Sequence, residues 1–300
     1  MPNSTTTATS AAQPRSAASR AQSAKLRTAV KHIALLLLGW LMIYPLIWLF
    51  LSSFKTNADL FGTLSLWPSQ FVWDSYVKGW AGTGQYSYTT FFYNTFVLVI
   101  PTVVLTVLSS VLVAYGFARF KFPLRNLLFV LMISTLMLPH TVIIIPRYLI
   151  FRNLGWLDSY LPFIVPAAFG CFPFFIFMLV QFFRGLPKEL DESAVMDGCN
   201  PPTILFRILL PLCMPAMISA SIFQFIWTWN DFFNPLIFIN SVKKFPISLA
   251  LRMTIDSTGG TIEWNQIMAM AVLAILPPVL VFFFSQKYFV EGIATTGIKG

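Results

Sequence analysis

Six apolar segments, each near the length that crosses a lipid bilayer, constrain the fold of this chain more than any other feature. They cover residues 33–50, 91–115, 127–145, 161–183, 212–239 and 266–284. A transmembrane helix needs about 20 mostly apolar residues, and a helix satisfies its own backbone hydrogen bonds in lipid. We therefore predict an all-α, polytopic membrane protein with six transmembrane helices.

Composition favours this class of protein over a soluble one. Hydrophobic residues account for 57% of the chain and charged residues for 10%, whereas a soluble domain carries roughly 25% charged residues. The net charge of +9 does not indicate a nucleic-acid partner, because the basic residues are scattered at the ends of the apolar segments. We expect membrane lipid, and no nucleic acid, around this protein.

The distribution of basic residues predicts the orientation in the membrane. Thirteen of the 20 Lys and Arg residues fall on the side that holds both termini, and the other side has seven. Basic residues are enriched in cytoplasmic loops. We predict a multi-pass protein of the bacterial inner membrane with both termini in the cytoplasm. Its parts are a disordered tail over 1–28, a transmembrane permease domain over 29–290 and a second tail over 291–300.

One polar stretch interrupts the apolar second half of the chain, inside a predicted cytoplasmic loop over 184–211. Four acidic residues lie within nine positions of it: Glu189, Asp191, Glu192 and Asp197. Pro187 suits the first turn of a helix, and Gly198 can take the left-handed conformation that ends one. Asn200 followed by Pro201 is typical of a new helix start. The stretch predicts two short helices joined at Gly198, too polar to span the membrane and suited to docking on a partner.

No catalytic or metal-binding pattern occurs in the sequence. His32 and His140 have no second metal ligand at a suitable spacing, and we expect them to pack or to cap helices. The phosphate-binding loop of ATPases and the nucleophile elbow of hydrolases are both absent. We therefore predict a non-enzymatic chain that itself binds no cofactor and no metal ion.

The acidic loop resembles a motif of a known family. Glu192-Ser193-Ala194, Gly198 and Ile208-x-Leu210-Pro211 are similar to the Glu-Ala-Ala, Gly and Ile-x-Leu-Pro loop of ABC importer membrane subunits, with Asp197 before the glycine and serine in place of the first alanine. Residues 115–120, 229–235 and 297–300 extend the resemblance. Over its whole length the chain resembles the shorter, six-span permease of the maltose-type carbohydrate importers.

This resemblance implies a set of partners and roles. The partners are a homologous permease subunit, two ATPase subunits that hold ATP and Mg²⁺, and an extracytoplasmic solute-binding protein. The loop helix is implied to lie in a cleft on an ATPase, where Leu190 and Ala194 would offer a small apolar face. The ATPase-coupling residues are then Glu192, Ser193, Ala194, Asp197, Gly198, Ile208, Leu210 and Pro211. The outer loop 241–265 is implied to contact the binding protein, and the C-terminal tail to reach the ATPases.

The fifth apolar segment carries candidate substrate contacts. Trp227, Asn230 and Asn234 lie at i, i+3 and i+7 and would share one stripe of a helix, with Asp231 at its margin. Polar and ionisable groups within a span usually face a cavity or the bundle interior, and indole beside amide and carboxylate groups suits a sugar. In a second interpretation, Asn230 and Asp231 brace neighbouring helices.

These patterns together predict a permease that moves an oligosaccharide or similar carbohydrate into the cytoplasm by alternating access. A stand-alone secondary transporter of polar solutes is the alternative, although such proteins more often carry coupling charges within their spans. A membrane-embedded enzyme is a third class. Seven basic against five acidic residues on the outer side slightly favour an acidic saccharide, such as an alginate fragment, over a neutral one.

Overall fold

The computed structural model describes residues 17–82, 85–257 and 263–297, and no β-strand occurs within these ranges. The prediction of an all-α chain is therefore confirmed. The chain divides into two compact units, Met1–Leu51 and Ser52–Gly300.

The first unit holds nearly all of helix α1 (Ala17–Ser52). Residues 17–28 are helical, where the sequence predicts disorder, because Ala, Arg and Gln favour helix and neither Pro nor Gly occurs in this stretch. The preceding residues 1–16 lie outside the described ranges. The apolar part of α1 is long enough to form the predicted first span.

The second unit contains the other helices. They are α2 (Asn57–Gly62), α3 (Asp74–Ala81), α4 (Tyr88–Arg119), α5 (Arg125–Ser134), α6 (His140–Asn153), α7 (Leu161–Ala168), α8 (Pro173–Gly185), α9 (Glu189–Met196), α10 (Pro201–Thr203), α11 (Leu210–Leu212), α12 (Met214–Trp229), α13 (Phe233–Phe238), α14 (Ile247–Ser257) and α15 (Trp264–Gly297). Single 3₁₀ turns cover Thr135–Met137 and Val242–Lys244, and a π-helical turn covers Ile204–Leu209. Since α15 continues to Gly297, most of the predicted tail 291–300 is helical and extends the sixth span.

Four of the described helical segments are long and apolar enough to cross a membrane, and two bent pairs bring the number of spans to six at most. One pair, Arg125–Met137 with Thr141–Asn153, is bent by 105°, so the third span predicted over 127–145 is a broken pair of helices and not one continuous helix. Pro139 causes this break: it lacks a backbone N–H, and the residue before a proline disfavours helix. Leu138 accordingly has an extended backbone, with ψ of 124°.

Helix α4 lies at the centre of the second unit and packs against α7, α8, α12 and α14. Its C-terminal half shares a buried cluster with α8, α12 and the segment between them, and its N-terminal half packs with α14 and α15. Both ends of α4 therefore connect directly to regions in which the sequence predicts function.

On the side of the second unit opposite the acidic loop, Asp158 joins two loops. Its Oδ1 accepts hydrogen bonds from the Asn240 and Ser241 amides, at 3.0 and 2.8 Å, and its Oδ2 lies 2.9 Å from Lys244 Nζ. Desolvation raises the pKa of Asp158, but the hydrogen bonds from Ser241, Lys244 and Asn240 outweigh it and hold that pKa well below its usual range. The loop after α6 and the beginning of the predicted outer loop are thereby fixed to each other.

Candidate functional site

The first half of the acidic loop is a short helix that ends at Gly198, as its sequence predicts. Helix α9 closes with a Schellman motif, in which the Gly198 amide donates to the Val195 carbonyl at 3.0 Å and the Cys199 amide to the Ala194 carbonyl at 2.9 Å. Gly198 has φ of +80°, a left-handed conformation that costs glycine nothing and strains other residues. This conformation determines the direction in which the chain leaves α9.

The second half of the loop begins a new helix at the predicted position. Asn200 Oδ1 accepts hydrogen bonds from the Thr203 amide at 3.0 Å and from the Thr203 hydroxyl at 2.6 Å, and Pro201 occupies the first helical position. A π-helical turn over Ile204–Leu209 follows, just before Pro211. This segment meets α12 at an angle of 77°, so the loop forms a bent arm attached to the fifth span.

An ion pair that the sequence analysis missed fastens this arm to α4. Arg119, the last residue of α4, places Nε 3.0 Å from Asp191 Oδ2 on α9, and the two side chains are 8% and 21% exposed. The guanidinium also donates to the Leu186 carbonyl at 3.2 Å, and the Tyr115 hydroxyl donates to the Pro201 carbonyl at 3.2 Å. Both halves of the loop are thus bonded to the end of the central helix. Arg119 and Asp191 lie far apart in the chain, and nothing local in the sequence indicates that they meet.

The predicted coupling residues divide between the exposed and the inward side of the arm. Glu192, Ser193, Asp197, Gly198 and Pro211 are exposed, Ile208 and Leu210 are half-buried, and Ala194 is only 4% exposed. The prediction that Leu190 and Ala194 form an outward apolar face is wrong, because Ala194 packs in the core that the arm shares with α4, α8 and α12. The small alanine permits this close approach.

The outward apolar surface of the arm consists of three other side chains. Val195 and Met196 at the end of α9 and Phe206 in the π-helical turn are all exposed, and Met196 is 87% exposed. Val195 and Met196 share α9 with its acidic side chains, of which Glu192 is also exposed. A surface that combines apolar and acidic groups in this way suits a protein partner with an apolar cleft and basic residues at its rim.

The predicted substrate stripe is interrupted. Helix α12 ends at Trp229 and α13 begins at Phe233, so Trp227, Asn230 and Asn234 do not share one helical face. Asp231 causes the break, because its carboxylate accepts hydrogen bonds from the Asn234 amide at 3.1 Å and from Asn234 Nδ2 at 2.8 Å. An aspartate that caps a following turn competes with the continuing helix. The prediction of a continuous stripe is therefore wrong.

The four candidate substrate residues now fall into two groups. Trp227 is half-exposed and packs on Phe174 and Phe175, and Asn230 is exposed, with Nδ2 donating to the Ile226 carbonyl at 2.9 Å. Asp231 and Asn234 are half-buried and bond to each other within one turn. This contact is local, so the second interpretation, in which Asn230 and Asp231 brace neighbouring helices, stays a prediction. Trp227 and Asn230 are the two that offer side chains at the surface of this chain.

No group of three or more His, Cys, Asp or Glu side chains that could hold a metal ion occurs in the described parts of the chain. The geometry defines an all-α membrane protein with a bent arm that is fixed to the central helix. A family model described as "binding-protein-dependent transport system inner membrane component" matches residues 107–295. The chain belongs to this family and is a multi-pass inner-membrane protein.

Individual relatives agree with this assignment. The chain is 34% identical over 268 residues to the arabinooligosaccharides transport system permease protein AraQ of Bacillus subtilis (strain 168), covering 88% of this chain and 93% of AraQ. It is 33% identical over 266 residues to the sn-glycerol-3-phosphate transport system permease protein UgpE of Yersinia enterocolitica serotype O:8, covering 87% of this chain and 94% of UgpE.

A solved structure shares the fold. It is a chain of a bacterial ABC transporter involved in the import of the acidic polysaccharide alginate, and it superposes with a TM-score of 0.78 at 23% identity, covering 93% of this chain and 100% of that one. This similarity confirms the predicted permease fold.

Proposed function

We propose that this chain is the permease subunit of an ABC importer that carries an oligosaccharide or a similar polar carbohydrate into the cytoplasm. It pairs with a homologous permease, receives solute from an extracytoplasmic binding protein and is driven by two ATPase subunits that hold ATP and Mg²⁺. Its membership of the family supports this role, and the relatives named for arabinooligosaccharide and glycerol phosphate transport favour a polyhydroxylated solute.

The observation that carries the proposal is the attachment of α9 to α4. A partner that grips the exposed surface of α9 and moves it also moves Arg119 through the ion pair at 3.0 Å, and Arg119 ends the helix around which the second unit packs. Two contacts at separate points, one to each half of the loop, transmit a displacement better than a single hinged contact. The arm is therefore built to pass movement from a partner into the transmembrane helices.

The substrate-path proposal now rests on Trp227 and Asn230. Trp227→Ala and Asn230→Ala are each expected to lower transport per assembled complex by about fivefold, the equivalent of roughly 1 kcal/mol for one lost polar or stacking contact. Basal ATPase activity should be retained. The measurement is uptake of saccharides of different lengths, normalised to the amount of assembled complex.

Trp229→Ala is the matched control for this test. Trp229 is buried and its Nε1 donates to the Ala274 carbonyl at 3.0 Å, so its loss should reduce assembly and leave the rate per complex unchanged. If Trp227→Ala and Asn230→Ala behave like this control, with unchanged saccharide preference, the substrate site lies on the partner permease.

The orientation has its own test, motivated by the thirteen-to-seven asymmetry of the basic residues. A reporter that is active only in the cytoplasm should work when it is fused after Lys188, immediately before α9. A reporter that is active only outside the cytoplasm should work when it is fused after Lys243, on the loop held by Asp158. An external Lys188 would contradict the proposed topology and with it the docking of α9 on an ATPase.

A further inference from the structure

We propose that this subunit binds the head group of an anionic phospholipid in a basic groove between the α4–α5 turn and the residue that precedes α9. The groove has a volume of about 530 Å³ and is lined by three cations, Lys121, Arg125 and Lys188. The inference rests on the proposed function for one point only, that this face is cytoplasmic.

The three cations of the groove form no ion pair in the described part of the chain. Within residues 17–82, 85–257 and 263–297, the ion pairs involve other cations, and no carboxylate pairs with Lys121, Arg125 or Lys188. Arg125 is held in place, since its Nη1 donates to the Phe120 carbonyl at 3.1 Å. Three neighbouring positive charges with no negative partner favour an anion between them, and a phosphodiester offers oxygens that lysine and arginine can both contact.

The walls of the groove distinguish a lipid from a free anion. Phe122, Leu124 and Leu127 line it and are all exposed, Leu124 to 67%. Leu124 has φ of +60°, an unusual conformation for a bulky residue. Apolar side chains beside cations, at the point where α4 ends and α5 begins, match the junction of head group and acyl chain at a membrane surface. Basic pockets of this kind on the cytoplasmic side are suited to anionic lipid head groups.

The location connects the lipid to the coupling arm. Lys188 is the residue immediately before α9, whereas Lys121 belongs to the turn that follows Arg119 and Arg125 begins α5. A lipid phosphate shared by these side chains would tie the beginning of α9 to the bilayer, next to the ion pair that fastens α9 to α4. The site thus belongs to the region that moves in the proposed mechanism.

The test measures retention of phosphatidylglycerol and of phosphatidylcholine by the purified transporter, using native mass spectrometry. Replacing both Lys121 and Lys188 with glutamine should weaken phosphatidylglycerol binding about 25-fold, or roughly fivefold for each cation removed, and leave phosphatidylcholine binding unchanged. Arg207→Gln is the control, because Arg207 is an exposed cation of the same arm outside the groove. This variant should leave the retention of both lipids unchanged.

A second variant separates a lipid from a free anion. Leu124→Asn keeps the three cations and removes an apolar wall, and asparagine accepts the left-handed backbone. It should weaken phosphatidylglycerol retention severalfold, and millimolar inorganic phosphate should not displace the lipid from the native protein. Displacement by inorganic phosphate would assign a free-anion site and overturn the lipid proposal. Unchanged phosphatidylglycerol retention in the lysine double variant, accompanied by loss of the ATPase subunits, would assign the cations to a protein contact instead. If the native transporter imports solute normally, either result would contradict the lipid site and leave the proposed function intact.

Discussion

Replacing Arg119 with methionine is expected to detach α9 from α4 and to abolish most substrate uptake. The change leaves the largely buried carboxylate of Asp191 without its counter-charge, and breaking one side of a buried pair costs about 3 kcal/mol. Part of this cost is the lost hydrogen bond to the Leu186 carbonyl. Uptake per assembled complex, together with protease accessibility of the 184–211 loop, measures the effect. The loop should become more accessible while the transmembrane helices stay intact.

An exposed ion pair on the same chain provides the matched control. Lys78 and Asp74 on α3 lie 3.2 Å apart, but their side chains are 65% and 70% exposed, so Lys78→Met should cost at most about 0.5 kcal/mol. The double variant of Arg119→Met with Asp191→Leu should recover part of the loss, because no unpaired charge then remains buried. If Arg119→Met proves as mild as Lys78→Met, the ion pair does not hold the arm.

The sequence predicted the features of this chain that depend on neighbouring residues. Gly198 ends α9 and Asn200 begins the next helix because each acts on backbone groups within a few positions, so the residue types alone carry the information. The apolar segments likewise indicated an all-α membrane chain through their length, and four described helices with two bent pairs are long and apolar enough to cross a membrane.

The errors arose where distant residues or a competing cap decided the structure. The prediction that Ala194 faces outward rests on the pattern of its own helix alone, whereas the core formed by α4, α8 and α12 turns this residue inward. The predicted substrate stripe continues through Asp231, whose carboxylate caps the next turn and ends the helix. Arg119 and Asp191 lie far apart in sequence, so a single sequence could not reveal that they meet. Within this arm, the contacts that would transmit force are therefore the ones hardest to predict.

Replacing Gly198 with valine is expected to redirect the end of α9 and to uncouple ATP hydrolysis from uptake. A Cβ at this position would meet no atom within 4 Å, so any effect comes from the backbone, which has φ of +80°. Holding a β-branched residue there costs about 1–3 kcal/mol, which corresponds to a shift of roughly 5- to 150-fold away from the native arrangement. The chain should still insert, since Gly198 lies outside the spans. Uptake per complex and co-purification of the ATPase subunits are the measurements.

Two further variants isolate the backbone conformation as the cause. A Cβ added at Gly185, the last residue of α8, would also meet no atom within 4 Å, and Gly185 has no positive φ. Gly185→Val therefore adds the same side chain without the strain and should transport normally. Gly198→Asn should retain most uptake, because asparagine tolerates the left-handed region far better than valine. Equal losses in Gly198→Val and Gly185→Val would point to steric exclusion of a partner by the new side chain. Normal uptake in Gly198→Val would show that the direction set at Gly198 does not matter for coupling.

Failure of any ATPase subunit to co-purify with the unmodified chain would instead favour a stand-alone transporter. The arm would then need a different partner in order to act as a lever.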